Sequence, residues 1–295
     1  MPSEWSDYRY FLSIADAGSL SAAARQLGVD QSTVGRRLAA LEAQVRTRLF
    51  DRTPDGYVLT AAGESIRADV QQLEDGFLAI ERRLAGGDAR LEGVVRLATT
   101  EVFASALLIP HLGELRESRP GLSIELITGN RPVDLARREA DLALRVGIAP
   151  RQPNLVVRQI GSGAYALYGA RSYLGRRERP SVKAGLRGHD VIAYSGELAR
   201  APLGRWIAQH GGRAQLAFQA NSLDAVYRAV VAGLGLGVLP CLFADRTLER
   251  VGGVLGGSPI LTVVHADLVR NARIRAVLTF LTDVVEQERA ALLGT

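Results

Sequence analysis

The stretch "SLSAAARQLGVDQSTVGRRLAALE", Ser19 to Glu42, decides how this chain is read. Ser19 can cap a helix running from Leu20 to Leu27. Gly28 stands where a left-handed residue ends such a helix at little steric cost. Asp30 can cap the next helix, in which Val34, Leu38, Leu41 and Val45 form one apolar stripe at steps of four, three and four. Ala22, Ala23 and Ala24 let the two backbones cross closely. Ser32, Thr33, Arg36 and Arg37 fall beside or opposite the stripe, so the second helix shows hydroxyl and guanidinium groups outward. That surface suits a major groove, where Arg binds guanine bidentately and hydroxyls reach bases or phosphates. On this stretch alone, an ordinary helical hairpin with a solvated arginine face accounts for the pattern equally well.

The flanking residues extend the pattern. Upstream, Ser6 or Asp7 can cap a first helix with Phe11, Ile14 and Ala15 on its inner face. Downstream, "LFDRTPDGYVLTAAGE" (Leu49 to Glu64) holds the turn signal Pro54-Asp55-Gly56 between two short extended pieces, a two-stranded wing. Five arginines stand between Arg36 and Arg52 against Glu42 and Asp51, so the local charge is positive where phosphates would lie. Thr60 then caps a long helix to about Ala85, closed by Gly86-Gly87. Its apolar residues Ile66, Val70, Leu73, Phe77, Ile80 and Leu84 step four, three, four, three, four, a heptad seam. At about 1.5 Å per residue the helix is nearly 40 Å long. The narrow seam reads as a dimerisation helix, which sets two reading heads against two half-sites.

Composition frames these motifs. A chain of 295 residues, 47% hydrophobic and 23% charged, suits two or three ordinary globular domains. The N-terminal MPSEWSDYRY lacks the layout of a secretory leader. The longest uncharged stretch, Ala229 to Ala244, is broken by glycines and Pro240 and is too short to span a bilayer. A soluble, cytoplasmic protein without membrane contact is expected. The single cysteine, Cys241, allows no intrachain disulfide and reads as a small buried hydrophobe. The net charge is +5, yet residues 1–90 hold 11 arginines against 13 carboxylates, a net of −2. The positive excess therefore lies outside the segment assigned to DNA.

Beyond "GGDARLEG" the texture alternates. "VVRLATT" reads as a strand, followed by a helix to about Arg119. "LSIELITGN", a short helix around Val133 to Arg138, and the strand "ADLALRVG" come next. "AYALYGA", "HDVIAYSG", the helix "SLDAVYRAVVAG", the strands "LGVLP" and "ILTVVHA", and a closing helix from about Asn271 to Ala291 repeat it. Such alternation predicts βαβ units, a parallel sheet and two small α/β lobes.

The run from Tyr8 to Glu64 resembles the DNA-binding head of LysR-type transcriptional regulators. The resemblance rests on Phe11, Gly18-Ser19-Leu20, Ala22-Ala23, Leu27-Gly28-Val29, Gln31-Ser32, Val34, Leu41-Glu42, Leu49-Phe50-Asp51-Arg52, Leu59-Thr60 and Ala62-Gly63-Glu64. The lobes are similar to the family over "VVRLATT", "PGLSIELITGN", "ADLALRVG" and "SLDAVYRAVVAGLGLGVLP". The resemblance implies an α/β chain with an N-terminal winged helix-turn-helix at residues 1–60 and a linker helix at 61–87. A two-lobed, periplasmic-binding-protein-like effector domain follows at 88–295. Lobe I is expected at about 92–161 and 266–295, and lobe II at about 162–265. The resemblance also implies a homodimer or homotetramer on double-stranded promoter DNA, with RNA polymerase a further candidate partner and no cofactor. Its DNA-contacting residues map onto Gln31, Ser32, Thr33, Arg36, Arg37, Arg52, Thr53 and Pro54. The chain departs at Gly35, where the family commonly has serine; this weakens the helix by about 0.5–1 kcal/mol and shifts expected contacts toward Arg36 and Arg37.

In two-lobed α/β folds, ligands lie at the carboxyl ends of the strands. The candidates are Thr99 and Thr100, Thr128 and Asn130, Arg145 and Val146, Tyr194 and Ser195, and Asn221 and Ser222. Hydroxyls, amides and helix N-termini suit an anionic effector; plain capping and turn chemistry accounts for any single one of them. The segments near Gly161 and His265 read as crossovers between lobes. "GLGLG" (Gly233 to Gly237) follows a helix and precedes a strand, the reverse of a nucleotide loop, and reads as a helix stop. His111, His189, His210 and His265 have no metal-ligand spacing and read mostly as surface or turn residues. A sequence-specific regulator tuned by a small ligand, and not an enzyme, is the expectation. Its rivals are a ligand-binding protein whose N-terminal part only mediates assembly, and a two-lobed enzyme.

Overall fold

Left-handed residues punctuate the N-terminal helices. In the computed structural model, which describes residues 4–86, 88, 90–129, 131–243 and 246–295, α1 (Trp5–Ala17) ends at Gly18 and α2 (Leu20–Leu27) at Gly28, with φ of 70° and 67°. The Ser19 hydroxyl caps α2 by accepting from the Ala22 amide at 3.3 Å. α3 (Gln31–Val45) follows. Phe11, Ile14, Ala23, Val34 and Leu41 are fully buried where the three helices cross. Two expected caps differ. α1 begins at Trp5 with Glu4 ahead of it, so Ser6 and Asp7 lie inside its first turn. Asp30 holds the cap position of α3, but its side chain makes no capping bond.

The wing is β1 (Phe50–Thr53) paired antiparallel with β2 (Gly56–Leu59). Gly56 has φ of 137°, and a Cβ there would collide with the Gly18 carbonyl oxygen, which also accepts from the Tyr57 amide at 2.8 Å. Only glycine fits this crossing. Thr60 caps α4 (Ala61–Gly86): its hydroxyl accepts from the Gly63 amide and donates to the Arg48 carbonyl.

The chain divides into two units, Met1–Arg82 and Arg83–Thr295. The second runs β3 (Gly93–Thr99), a π-helical turn Phe103–Leu108, α5 (Leu112–Ser118), β4 (Leu122–Thr128), β5 (Leu142–Val146), β6 (Leu155–Ala170), α6 (Arg171–Leu174) and β7 (Asp190–Tyr194). It continues with α7 (Pro202–His210), β8 (Gln215–Ala220), α8 (Leu223–Val231), β9 (Leu236–Pro240), β10 (Leu248–His265), α9 (Ala272–Gln287) and α10 (Arg289–Leu293). The strand order is β4-β3-β5-β10-β6-β9-β7-β8. Pairing is parallel within each half, at β4-β3-β5 and at β9-β7-β8. The expected parallel sheet is thus two parallel halves joined by β6 and β10, which pair antiparallel along nearly their whole length.

Two cores flank the junction. One gathers Leu97, Leu142, Val277 and Leu281; the other gathers Leu167, Ile192, Val226 and Val238. Ile260 and Val264 belong to the first core, and β10 pairs with β5 from Ile260 onward. The second crossover therefore falls near Ser258-Pro259 rather than near His265.

Four other expectations change. No helix forms over 133–138: the Asp134 carboxylate accepts from the amides of Ala136 and Arg137, Glu139 accepts from the amide of Asp134, and Arg138 is left-handed. Side chains here capture the amides a helix would use. The helix after β3 is not continuous but passes from π-helix through a 3-10 turn at Pro110 into α5. α7 and β8 have no counterpart among the elements expected from sequence. His111, His189 and His265 are buried rather than on the surface.

Candidate DNA-reading surface and effector cleft

On the first unit, Gln31, Ser32 and Arg36 are exposed at the N-terminal half of α3, and Thr33 is half-buried. Arg37 behaves differently: its Nη1 lies 3.3 Å from Oδ1 of buried Asp7 on α1. Arg37 is exposed like Arg36, and this ion pair engages part of its charge within the head. Gly35 is turned to α2, since a Cβ there would meet Leu20 Cδ1 at 3.4 Å. In the wing Arg52 and Pro54 are exposed, whereas the Thr53 hydroxyl donates to the Gly56 carbonyl and serves the turn.

Glu42 fixes the wing to α3. Its Oε1 accepts from the Leu49 amide at 2.7 Å and from the Phe50 amide at 3.1 Å. The seam of α4 divides in two. Val70 is buried in the head core and Ile66 packs beside it, so these two face the helix's own domain. Leu73, Phe77, Ile80 and Leu84 are 62%, 49%, 52% and 76% exposed, an apolar stripe that water covers at a cost.

In the second unit a cavity of about 330 Å³ opens between the halves of the sheet. Thr100, Arg145 and Val146 line it, three of the ten residues expected there. The Arg145 guanidinium donates to the Arg131 carbonyl at 3.0 Å and the Gly129 carbonyl at 3.4 Å, tying the loop after β4 to the cavity rim. Burial pulls its pKa below the ordinary guanidinium value, so its cation is underhydrated, a state an anion relieves. Glu197 and Leu198 close the wall from the lobe II side; Val133, Leu135 and Val263 supply the apolar floor.

The remaining candidates lie off this wall. Thr99 is behind Thr100, with its hydroxyl buried and unpartnered. The Tyr194 hydroxyl donates to the Val238 carbonyl at 2.8 Å, and burial raises its pKa, so it is a structural strut. Ser222 caps α8 by accepting from the Ala225 amide. Thr128, Ser195 and Asn221 are at strand ends but do not line the cavity, and Asn130 lies outside the described residues.

Known families fit both units. The model of the bacterial regulatory helix-turn-helix protein, lysR family, matches residues 5–64, and that of the LysR substrate binding domain matches residues 88–286. The chain belongs to the LysR family of transcriptional regulators. It is 29% identical over 238 residues to the Mau operon transcriptional activator of Paracoccus denitrificans, covering 80% of this chain and 79% of that one. It is 27% identical over 249 residues to the transcriptional activator AaeR of Escherichia coli, covering 81% and 78%. The fold matches the full-length structure of the Vibrio cholerae virulence activator AphB, at a TM-score of 0.65, 22% identity, and coverage of 95% and 99%. It also matches full-length CbnR in complex with its target DNA, at a TM-score of 0.57, 21% identity, and coverage of 96% and 100%. These relatives are regulators rather than enzymes. Among the described residues, no helix of this regulator is long and apolar enough to cross a membrane.

The sequence reading missed most of the cavity wall. Pro132, Ile148, Pro150 and Gln152 sit on loops after β4 and β5, and Glu197 on the turn after β7. Pro132 and Pro150, each four residues beyond a strand end, were the available signal, because X-Pro steps mark loops at the carboxyl edge.

Proposed function

We propose that this LysR-family regulator acts in the cytoplasm as an oligomer on promoter DNA, and that a small effector bearing an anionic group, held in the cleft of the second unit, changes that binding. The carrying observation is the cleft itself, where the partly buried Arg145 cation and the Thr100 hydroxyl face an otherwise mainly apolar wall contributed by both lobes. A volume near the low end of small-molecule sites favours a compact carboxylate with an apolar body. Exposed Gln31, Ser32, Arg36 and Arg52 support the reading of DNA by α3 and the wing. The exposed stripe from Leu73 to Leu84 supports a second copy on α4.

Retardation of the DNA fragment upstream of the regulator's own coding region tests the reading. The parent protein binds that fragment in preference to random-sequence duplex, and Arg36→Ala removes the preference while the oligomer persists. Retention of the preference in Arg36→Ala contradicts the assignment of α3. A screen of small carboxylates by thermal shift tests the cleft, since a ligand of the folded state raises the melting temperature; no shift with any of them contradicts an anionic effector.

A further inference from the structure

Residues 1–90, the head with its linker helix, carry a net charge of −2, and the strongest concentration of positive charge lies elsewhere. Residues 171–189 hold five arginines and one lysine against a single carboxylate, Glu178, a net of +5 that equals the charge of the whole chain. Arg171, Arg176, Arg179, Lys183 and Arg187 are all exposed, and so is Arg213. Arg213 joins the group through space: its amide donates to the Gly185 carbonyl at 3.0 Å, and its Cβ would touch a side chain at Gly185. Among the described residues none of these six cations has a carboxylate partner. The arginine that does, Arg177, pairs with Asp190 at 2.8 Å and lies over the Tyr173 ring.

The segment is held in shape. Leu186 is fully buried, the Tyr173 hydroxyl accepts from the Asp190 amide, and Arg177 donates to the Gly188 carbonyl. Six cations therefore stand on a fixed surface, at a cost in mutual repulsion. The topology locates that surface. β6 ends at Ala170, while β7 and β8 run parallel and begin at Asp190 and Gln215. The cations thus gather at the amino ends of β7 and β8, and the cavity, walled by Glu197 beyond the end of β7, opens at the opposite pole.

We propose that this pole of lobe II is a second DNA-contacting surface, which holds phosphates of the duplex without reading its sequence. The proposal rests on the regulator's binding of DNA through α3 and the wing. Within 171–189 no large hydrophobic residue is exposed, although Leu216 on β8 and Leu234 ahead of β9 are, at 53% and 43%. Protein hot spots mostly pair arginine with buried aromatic anchors, and membrane binding gains most from an inserted apolar face. A phosphate backbone needs neither: exposed guanidinium groups bind it bidentately, and release of counterions drives the association.

The test uses the full-length protein with Arg179, Lys183, Arg187 and Arg213 all replaced by Gln; none of these side chains makes a hydrogen bond or ion pair among the described residues. Binding to a random-sequence duplex and to the fragment upstream of its own coding region is measured by fluorescence anisotropy across a salt series. Each phosphate that the variant no longer neutralises flattens the plot of log K against log salt by about 0.9. The quadruple variant should therefore flatten it by about two to four per protomer, on both duplexes alike, and keep its preference for the upstream fragment. An unchanged slope overturns the proposal, whether or not the variant loses binding to anionic vesicles or to RNA polymerase. Absence of the preference in the parent protein would instead refute the reading of the head. Arg36→Ala separates the two surfaces: it should abolish the preference and keep most of the salt-dependent binding to random duplex.

Discussion

Replacing Glu42 tests whether the wing is set by α3. Its carboxylate accepts two amides at 2.7 and 3.1 Å, those of buried Leu49 and Phe50. A hydrogen bond to a charged group contributes about 1.5–3 kcal/mol, and water reaching the half-buried Glu42 side chain recovers part of that when the bonds are lost. Glu42→Ala should then lower the local opening free energy of the wing by about 2–3 kcal/mol. Since about 1.4 kcal/mol is tenfold in an equilibrium, exchange of the Leu49 and Phe50 amides should speed up roughly 30- to 140-fold. Glu42→Gln keeps a neutral acceptor and should cost about 1 kcal/mol. Hydrogen–deuterium exchange resolved to residues 46–60 reads the effect directly. Exchange in Glu42→Ala within twofold of the parent would refute the claim that this carboxylate holds the wing.

Gly56→Ala forces a Cβ onto the Gly18 carbonyl and strains a φ of 137°; it should destabilise the head by at least about 1–3 kcal/mol in denaturant unfolding and weaken retardation of the upstream fragment. Leu73→Glu with Phe77→Glu should lower the sedimentation mass, because two of the four exposed seam residues become charged; an unchanged mass would contradict a dimer on α4. Arg145→Met should abolish any thermal shift produced by a carboxylate, and a retained shift would place the anion elsewhere. Burial pulls the His189 pKa below its ordinary 6.5, with the nearby Arg177 charge acting in the same direction. The unfolded chain therefore takes up a proton first: the contribution of neutral His189 is complete above about pH 6.5 and is lost as pH falls below that value. His189→Asn should flatten this acid limb in thermal melts.

The head was legible because its signals are local. Gly18 and Gly28 end helices, Ser19 and Thr60 cap them, and the stripe from Val34 to Leu41 is buried as its spacing requires. What was not legible there involves residues distant in sequence: the Asp7–Arg37 ion pair, 30 residues apart, and the packing of Val70 on the helical core. A heptad seam cannot tell which of its residues meet the helix's own domain. In the second unit the strands were legible from β-branched runs, but β8 was not. "QLAFQA" alternates Leu216, Phe218 and Ala220 with Gln215, Ala217 and Gln219, but over only six residues, and on this edge strand Leu216 and Phe218 stay exposed. The helix expected over 133–138 failed because the hydrogen bonds of the Asp134 side chain compete with propensity. Most cleft residues escaped notice because they belong to loops, whose positions are set by the sheet and not by periodicity.

The unbroken run of β6 and β10 through both halves has a mechanical consequence. Domains linked by flexible tethers swing freely, whereas these halves share two long hydrogen-bonded strands and can separate only by torsion of a common ribbon. The ladder between them slips register at Val251–Val254, Val254–Gly256 and Ile260–Leu261, and those slips are its compliant points. An occupant of the cleft that moved the halves would therefore twist a stiff spring through a small angle, and stiffening those slips would raise the force constant against which it works.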